Sequence, residues 1–170
     1  MRGDAASGRA RDRVSDEDHA HAPVLPPVVF AAAVAAALAL KALVPVPFVP
    51  RAVADRAEVA GVAMSVAGGM LAAWALATFL WERTTPLPNR PARALVTGGP
   101  YRLSRNPMYI GISVVLVGLS LVANDVWMLA VLPPVWLLLT RFVIRPEEAY
   151  LERKFGEEYR AFLARTRRWL

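Results

Sequence analysis

The chain has 170 residues, of which 56% are apolar and none is cysteine, and its formal net charge is +6 at pH 7. This length allows one domain, and the apolar share together with a positive mean hydropathy indicates a membrane protein. The lack of cysteine excludes a disulfide framework, a thiolate metal site and a cysteine nucleophile. Both histidines, His19 and His21, lie in the polar N-terminal segment, so we predict no metal site. The basic residues lie between apolar segments, where anionic lipid and membrane topology explain them better than a nucleic-acid partner does.

The first 22 residues mix charged residues with Gly and Ala and show no apolar periodicity. Such a stretch cannot bury enough surface to offset its ordering entropy, so we predict a disordered cytosolic tail over 1–22 and a membrane domain over 23–170. A first apolar span runs from Pro26 to Val44 and carries one charge, Lys41. A signal peptide is the alternative, but the charged leader and the spanning length favour a retained helix.

A proline-rich turn leads to a second predicted span, from Val59 to Trp81. This span places small side chains at spacings of three and four residues, which would let another helix approach its backbone closely. The small residues are Gly61, Ser65, Gly68, Gly69 and Ala72.

The third span is predicted from Pro107 to Ala123 and the fourth from Val126 to Ile144, with a tight Asn-Asp turn between them. These two spans should form a helical hairpin. Gly111 and Gly118 are seven residues apart and therefore lie on one face of the third helix. A pair of prolines at 133–134 should interrupt the fourth span, because a proline removes one backbone donor and clashes with the preceding turn.

The C-terminal segment from position 145 onward is strongly charged, but apolar residues recur in it at helical spacing. They are Leu151, Phe155, Tyr159 and Phe162 or Leu163. This pattern predicts an amphipathic helix on the membrane surface or on the bundle, with a possible bend at Gly156. The fold class is therefore all-α, an integral membrane protein with four transmembrane helices and a C-terminal amphipathic cytosolic helix.

The distribution of Lys and Arg predicts the orientation in the membrane. Seventeen of these residues lie in the tail, in the 82–107 loop and in the segment from Arg141 onward, and three lie on the other side: Lys41, Arg51 and Arg56. The positive-inside rule then places both termini, the long loop and the C-terminal helix in the cytosol, for a multi-pass protein of the plasma or inner membrane.

Four short blocks carry a stronger signal. They are RALVTGGPY at 93–101, RNPMYIG at 105–111, EEAYL at 147–151 and FGEEY at 155–159. In this order and spacing, the blocks resemble the isoprenylcysteine carboxyl methyltransferase family, whose relatives include phospholipid N-methyltransferases and small-thiol methyltransferases. The resemblance covers about residues 86–168.

The resemblance implies that S-adenosylmethionine binds at the cytosolic face, between the long loop, the hairpin and the C-terminal helix. It assigns cofactor binding to Arg93, Ala94, Leu95, Val96, Tyr101, Asn106, Pro107, Met108, Tyr109 and Glu147. Glu147 would meet the ammonium group or the ribose as a charge-assisted acceptor. The resemblance assigns no catalytic residue.

The chain departs from the family pattern at two positions. Asn106 stands where the family most often has histidine, and because asparagine cannot titrate near neutral pH, we expect it to hold the cofactor rather than to remove a proton. The lipid-contacting arginine of the family falls on Val143, and Arg141 or Arg145 could replace it in binding the substrate. Both arginines could equally be anchors that extend to the membrane interface.

The predicted function is therefore S-adenosylmethionine-dependent methylation of a lipophilic or membrane-embedded acceptor, whose reactive group is a carboxylate, hydroxyl, amine or thiol. Two alternatives stay open: a membrane-embedded NADPH-dependent lipid or sterol reductase, and a non-catalytic four-helix membrane adaptor. The loop itself also has a purely structural interpretation, in which Asn106 caps the third helix, Pro107 begins it, and two tyrosines mark the interface. The oligomeric state is not predicted.

Overall fold

The computed structural model describes residues 25–84, 92 and 94–169, and these residues form helices and connecting turns without a β-strand. The predicted disordered tail over 1–22 lies outside them. Seven α-helices follow one another: α1 Pro26–Leu43, α2 Ala54–Trp81, α3 Pro107–Ala123, α4 Trp127–Ala130, α5 Leu132–Leu139, α6 Arg145–Phe155 and α7 Glu157–Arg165. A π-helical segment, Thr140–Ile144, joins α5 to α6, and short 3-10 turns lie at Arg51–Val53 and Gly99–Arg102.

Three helical stretches are long and apolar enough to cross a membrane: Pro26–Leu43, Arg51–Trp81 and Trp127–Phe155. The apolar part of the last one ends at Ile144, and the helix is charged from Arg145 onward, outside the apolar segment. α3 is apolar over 17 residues, which gives it a length of about 26 Å against a hydrocarbon core of about 30 Å. The all-α prediction is confirmed for the described residues, and three of the four predicted spans meet the length of a membrane crossing.

Glycines bring α2 and α3 into backbone contact. A Cβ atom on Gly68 would lie 2.6 Å from the carbonyl oxygen of Gly111, and the reverse contact has the same distance. Seven residues away on each helix, a Cβ atom on Gly61 would lie 2.6 Å from the carbonyl oxygen of Gly118. Because real Cβ atoms do not approach so closely, the two helices can pack antiparallel at this distance only with glycine at these positions. The predicted contact face is thus confirmed at Gly61 and Gly68, as is the shared face of Gly111 and Gly118. It is wrong at Gly69, where no atom lies within 4 Å of an added Cβ.

The fourth apolar stretch is broken where the two prolines predict it. Pro133 and Pro134 cannot donate hydrogen bonds to the carbonyl groups four residues earlier, so α4 ends at Ala130 and α5 starts at Leu132. α5 and the π-helical segment bury Val135, Leu139 and Val143 against Phe30 of α1 and Leu116 of α3. Trp136 also donates a hydrogen bond of 2.9 Å from Nε1 to the hydroxyl of Ser113 on α3, which joins the two arms of the predicted hairpin.

The turn between α3 and α4 is closed by the proline-rich segment that follows α1. Asn124 adopts a left-handed conformation, with φ of +43°, and its side-chain oxygen accepts hydrogen bonds from the backbone N–H groups of Phe48 and Val49. The carboxylate of Asp125, whose residue is 2% exposed, accepts hydrogen bonds of 3.1 Å from the N–H groups of Val46 and Trp127. We call the end of the bundle that contains these contacts, at the turn between α3 and α4, the closed end.

The C-terminal segment forms two helices rather than one, with the break at Gly156 where the sequence predicts a bend. Gly156 has φ of +51° and ψ of −121°, a backbone conformation that side chains with a Cβ rarely adopt. The turn lets α7 place Tyr159 and Phe162 against Ala75 near the end of α2 and against Tyr101 of the long loop. This packing holds the loop over the polar end of the bundle.

Candidate functional site

A cavity lies at the polar end of the bundle, between the end of α2, the long loop, the start of α6 and the inner face of α7. The space between its walls is about 710 Å³, a figure that includes the part at the mouth that is open to solvent. The wall contains apolar and aromatic side chains together with two carboxylates, one guanidinium and one amide. The lining residues are Phe79, Ala92, Ala94, Leu95, Val96, Tyr101, Arg105, Asn106, Ile144, Glu147, Glu148, Tyr150, Leu151, Tyr159 and Phe162.

The structure brings six of the ten predicted cofactor residues together around this cavity. They are Ala94, Leu95, Val96, Tyr101, Asn106 and Glu147. Three others do not line it: Pro107 is fully buried at the start of α3, Met108 packs beside the buried Tyr101 cluster, and the ring of Tyr109 faces Phe30 at 6.2 Å. Arg93 lies outside the described residues. A role of these residues in cofactor binding stays a prediction.

Neither predicted substrate residue lines the cavity. Arg141 and Arg145 are exposed where the fourth apolar stretch ends, and neither lines the cavity wall. The guanidinium of Arg141 lies 5.8 Å from the ring centre of Phe142, a cation–π contact at the surface.

Glu147 is the carboxylate that the site leaves without a partner. It lies in the first turn of α6, lines the cavity and makes no hydrogen bond or ion pair with any other described residue. Burial and the neighbouring Glu148 raise the pKa of Glu147 from 4.5 to about 7. A cation in the cavity would favour the ionised form and oppose this rise.

Glu148 has the opposite environment, since two arginines share its carboxylate. Arg168 binds both oxygens, with Nε at 3.0 Å and Nη2 at 2.6 Å, and Nη1 of Arg105 donates a third hydrogen bond of 2.7 Å. A bidentate guanidinium contact is among the stronger ion pairs in proteins. Glu148 therefore ties the start of α6 to the long loop and to the C-terminal segment.

Arg105 is fixed by several contacts, but one of its hydrogen-bond donors is not used. Its side chain is 17% exposed, and its backbone N–H donates to the carbonyl oxygen of Arg167 at 2.9 Å. Its Nε is buried and has no hydrogen-bond partner in the part of the chain that the structure describes. A buried donor without a partner is uncommon in a folded protein and often marks a functional position.

Residues 166–169, which we call the C-terminal strap, close one edge of the site. The carbonyl oxygen of Arg168 accepts hydrogen bonds from Nδ2 of Asn106 at 2.9 Å and from the hydroxyl of Ser104 at 3.1 Å. Trp169 stacks on Trp136 with 5.4 Å between the ring centres. The side chain of Asn106 thus binds the strap and does not cap α3, which corrects the structural interpretation of this residue.

The aromatic part of the wall contains several residues that the sequence analysis did not assign to the site. Phe79 meets Tyr101 edge to face at 5.3 Å, while Tyr159 and Phe162 lie 6.2 Å apart on α7. Tyr150 also lines the wall, and its hydroxyl accepts a hydrogen bond of 3.1 Å from the N–H of Ala92. Tyr150 and Tyr159 lie inside the two C-terminal blocks, so the block pattern could have identified them, whereas nothing in the sequence separates Phe79 from other apolar residues of α2.

The apolar helices indicate an integral membrane protein. The partly enclosed cavity at the polar end of the bundle is a candidate small-molecule site. The family model described as phospholipid methyltransferase matches residues 57–158, more than half of the chain. The chain belongs to this family of membrane methyltransferases, which confirms the resemblance inferred from the four blocks. The match supports neither the reductase nor the adaptor alternative.

Two curated proteins are similar to part of the chain. One is the nickel-cobalt-cadmium resistance protein NccN of Alcaligenes xylosoxydans xylosoxydans, to which the chain is 35% identical over 71 residues. The match covers 42% of this chain and 33% of NccN. Over 64 residues, 37% of this chain, it is 39% identical to an uncharacterized protein of Haemophilus influenzae, which is covered over 100% of its length. No solved structure matches.

Proposed function

We propose that the protein transfers a methyl group from S-adenosylmethionine to a lipophilic acceptor at the cytosolic face of the membrane. The family supports methyl transfer. The observation that carries the assignment of the site is Glu147. Its carboxylate lines the cavity at the start of the charged helix α6 and has no partner among the residues that the structure describes.

The cavity wall suits the chemical groups of this cofactor. Glu147 would accept a hydrogen bond from the ammonium group or the ribose, and the loop segment 94–96 with Tyr101 would line the nucleoside. The rings of Phe79, Tyr101 and Phe162 offer apolar surface for the adenine. When bound, the cofactor would supply an electrophilic methyl group on a cationic sulfur.

The residues of the chain contribute position rather than proton transfer. Asn106 lines the cavity while its amide holds the C-terminal strap, so the residue in the place of the family histidine would stabilise the wall. Fixing donor and acceptor in line can supply much of the acceleration of a displacement reaction. An acceptor that is already ionised, or nucleophilic without losing a proton, suits a site without a histidine.

The acceptor would approach from the membrane exit of the fourth apolar stretch. Arg141 and Arg145 are exposed there, four residues apart, and we propose that they contact the polar end of the acceptor. Interface anchoring is the alternative role for both residues. A lipid or small lipophilic molecule with a polar reactive end fits this position, and its reactive group is a carboxylate, hydroxyl, amine or thiol.

Calorimetry on the protein in nanodiscs tests the site directly. We expect S-adenosylmethionine to bind, and we expect Glu147→Gln to weaken binding about 10–100-fold, since a charged hydrogen bond contributes about 1.5–3 kcal/mol. Glu152→Gln is the matched control, because Glu152 lies on the same helix but pairs with Arg160 at the surface, outside the cavity. Equal affinity in all three proteins would rule out Glu147 as the ammonium acceptor.

The cytosolic orientation is a separate proposal. The chain has no cysteine, so single cysteines introduced at Arg93, Arg165 and Arg51 can be labelled without background. With both termini cytosolic in the plasma or inner membrane, a membrane-impermeant maleimide should reach only Arg51→Cys in intact cells. Labelling of Arg165→Cys from outside the cell would show that the C-terminal segment is not cytosolic and that the predicted topology is wrong.

A further inference from the structure

We infer that the C-terminal strap is a gate for the lipophilic acceptor, and that the gate opens one flank of the cavity to the bilayer when Trp169 leaves Trp136. The inference rests on the proposed function, and it names the route by which the acceptor reaches the site. Neither tryptophan belongs to the site residues that the sequence predicts.

The strap runs along one side of the cavity wall. The backbone N–H of Arg105 donates to the carbonyl oxygen of Arg167 at 2.9 Å. Nδ2 of Asn106 donates to the carbonyl oxygen of Arg168, also at 2.9 Å. Arg105 and Asn106 both line the cavity, and so does Glu148, which pairs with the guanidinium of Arg168. The strap therefore covers the wall on the side where the long loop meets α3 and α6.

The last residue of the strap extends this cover into the apolar part of the bundle. Trp169 stacks on Trp136 and packs against the buried core that α1, α3 and α5 share. Trp136 lies eight residues before Ile144, where the apolar stretch ends, and this is about 12 Å along a helix. Trp136 is 41% exposed, so the tryptophan pair lies at the surface of the apolar segment, where bilayer lipid is its neighbour.

The cavity has two sides with different surroundings. Its mouth is open to solvent, so a polar, water-soluble cofactor can enter there without moving the strap. The flank under the strap leads from Asn106 and Ile144 to the apolar surface around Trp136. A molecule with a polar reactive end can reach the cavity along this flank while its apolar part stays out of water. In the structure, the strap occupies this path.

The contacts of the strap allow it to move as a unit. Residues 166–169 follow the end of α7 and belong to no helix or strand, so their release breaks no secondary structure. The buried Thr166 fixes the start of the strap, since its N–H donates to the carbonyl oxygen of Phe162 at 3.1 Å. Beyond Thr166, an ion pair, hydrogen bonds to backbone carbonyls and a ring stack hold the strap. Segments of this kind open at a lower free energy than core helices, and active-site lids commonly belong to them.

Cysteine labelling measures the opening of the strap directly, because the chain has no cysteine of its own. Ser104 is 1% exposed and its hydroxyl donates to the carbonyl oxygen of Arg168 at 3.1 Å, so Ser104→Cys places a thiol under the strap. Ser120→Cys is the matched control, since Ser120 is 0% exposed and its hydroxyl donates to the carbonyl oxygen of Asp125 at the closed end. In nanodiscs, a water-soluble thiol reagent should label Ser104→Cys at least about 10-fold faster than Ser120→Cys, because opening of the strap requires no global unfolding.

Variants of the strap identify the contacts that keep it in place. Arg168→Gln removes the bidentate pair with Glu148 and should raise the labelling rate of Ser104→Cys by about 10–100-fold. Trp169→Ala should raise this rate as well, because it removes the stack on Trp136. Arg167→Gln should leave the rate unchanged, because Arg167 is exposed and contributes its backbone carbonyl to the strap.

Locking the strap tests whether the acceptor needs the gate to open. Ser104→Cys combined with Arg168→Cys places thiols on both sides of the contact between loop and strap, where a short bifunctional reagent with a reducible link can join them. We expect the cross-linked protein to bind S-adenosylhomocysteine with the affinity of the reduced protein. Methyl transfer from tritiated S-adenosylmethionine to a total lipid extract of the organism's own membranes should fall at least about 10-fold, and reduction should restore it.

The outcomes distinguish the gate from the proposed function. If the cross-linked and the reduced protein transfer methyl groups at the same rate, the gate is wrong and the proposed function stands. If the reduced protein binds no S-adenosylmethionine, or methylates no component of the extract, the proposed function fails and the gate fails with it. Equal labelling rates of Ser104→Cys and Ser120→Cys, with and without Arg168→Gln, would mean that the strap opens only when the protein unfolds, which also contradicts the gate.

Discussion

The two polar ends of the helical bundle are built differently. At the closed end, the carboxylate of Asp125 accepts backbone hydrogen bonds with both oxygens, and the side chain of Asn124 binds both the N–H and the carbonyl oxygen of Val49. At the cavity end, the carboxylate of Glu147 has no partner among the described residues, and Nε of Arg105 is buried without one. Both ends contain charged groups at the border of an apolar bundle, where an unsatisfied group is costly.

This difference separates groups that hold the fold from groups that are candidates for binding a ligand. Asp125 stabilises a turn because its acceptors are fully used by the chain itself. The cavity end keeps unused hydrogen-bonding capacity, although Asn106 binds the strap and Arg105 binds Glu148. Perturbed titratable groups in a cleft are candidates for function, and the comparison with a satisfied carboxylate in the same molecule strengthens that inference.

The largest expected effect comes from separating α2 and α3, because both ends depend on that contact. In Gly111→Ala, the new Cβ atom would lie 2.6 Å from the carbonyl oxygen of Gly68 and 2.7 Å from the backbone nitrogen of Ala72. Neither backbone can move without shifting its helix. We therefore expect the free energy of unfolding to fall by about 3 kcal/mol or more, which is the upper range for overpacking. Thermal unfolding followed by tryptophan fluorescence in detergent should show a lower Tm or no folded protein.

Gly69→Ala is the matched control, since its Cβ atom would meet no atom within 4 Å. We expect it to leave Tm unchanged or slightly raised, as alanine favours the helix. Equal unfolding temperatures of the two variants would show that the close approach of α2 to α3 is not required.

The glycine contact shows how far the sequence predicts the fold. The spacing of small residues identifies the contact face, and the lengths of the apolar runs place α1, α2 and α3 to within a few residues. Gly68 and Gly69 are both glycines of the same stretch, so the residue type does not distinguish them. Neighbouring positions on a helix point about 100° apart, so only one of the two can contact α3. The sequence does not fix the rotation of α2, and the position of its partner helix decides it.

The candidate site is predictable only in part, because some of its contacts join residues that lie far apart in the chain. The block resemblance predicts that Glu147, Tyr101 and the 94–96 segment share one site, and the structure has them line one cavity at the polar end of the bundle. The strap has no periodicity, and its contacts, such as the stacking of Trp169 on Trp136, join residues far apart in the chain. Composition and helix position do not distinguish Glu147 from Glu148, and only the family resemblance selects Glu147. In the structure, Arg105 and Arg168 both pair with Glu148.

A smaller effect is expected at the closed end from Asp125→Asn. The amide keeps one acceptor oxygen but directs an NH₂ group at a backbone N–H, either that of Val46 or that of Trp127. One donor is then left unsatisfied at a position that is 2% exposed, which should cost about 1–3 kcal/mol. The Tm should fall by several degrees while the affinity for S-adenosylmethionine stays that of the wild type.

Asp55→Asn is the control for the closed end. Asp55 is exposed in the first turn of α2, where a carboxylate contributes about 0.3–1 kcal/mol through the helix dipole. A drop in Tm no larger than that of Asp55→Asn would mean that the hydrogen bonds of Asp125 do not hold the turn.

An effect of opposite sign is expected from Glu147→Gln in the cofactor-free protein. Because burial and Glu148 raise the pKa of Glu147 to about 7 in the folded state, the protonated form is favoured there, and the wild type should lose stability as pH rises from about 4.5 through 7. Glutamine does not ionise, so the variant should match the wild type near pH 4, where the glutamate is protonated in both states. At pH 8 the variant should be more stable than the wild type by about 1–3 kcal/mol and should have the higher Tm. Tm measured across this pH range on both proteins checks the sign. A variant that is less stable than the wild type at pH 8 would mean that the ionised carboxylate has a stabilising partner, and Glu147 would then belong with Asp125 among the residues that hold the fold.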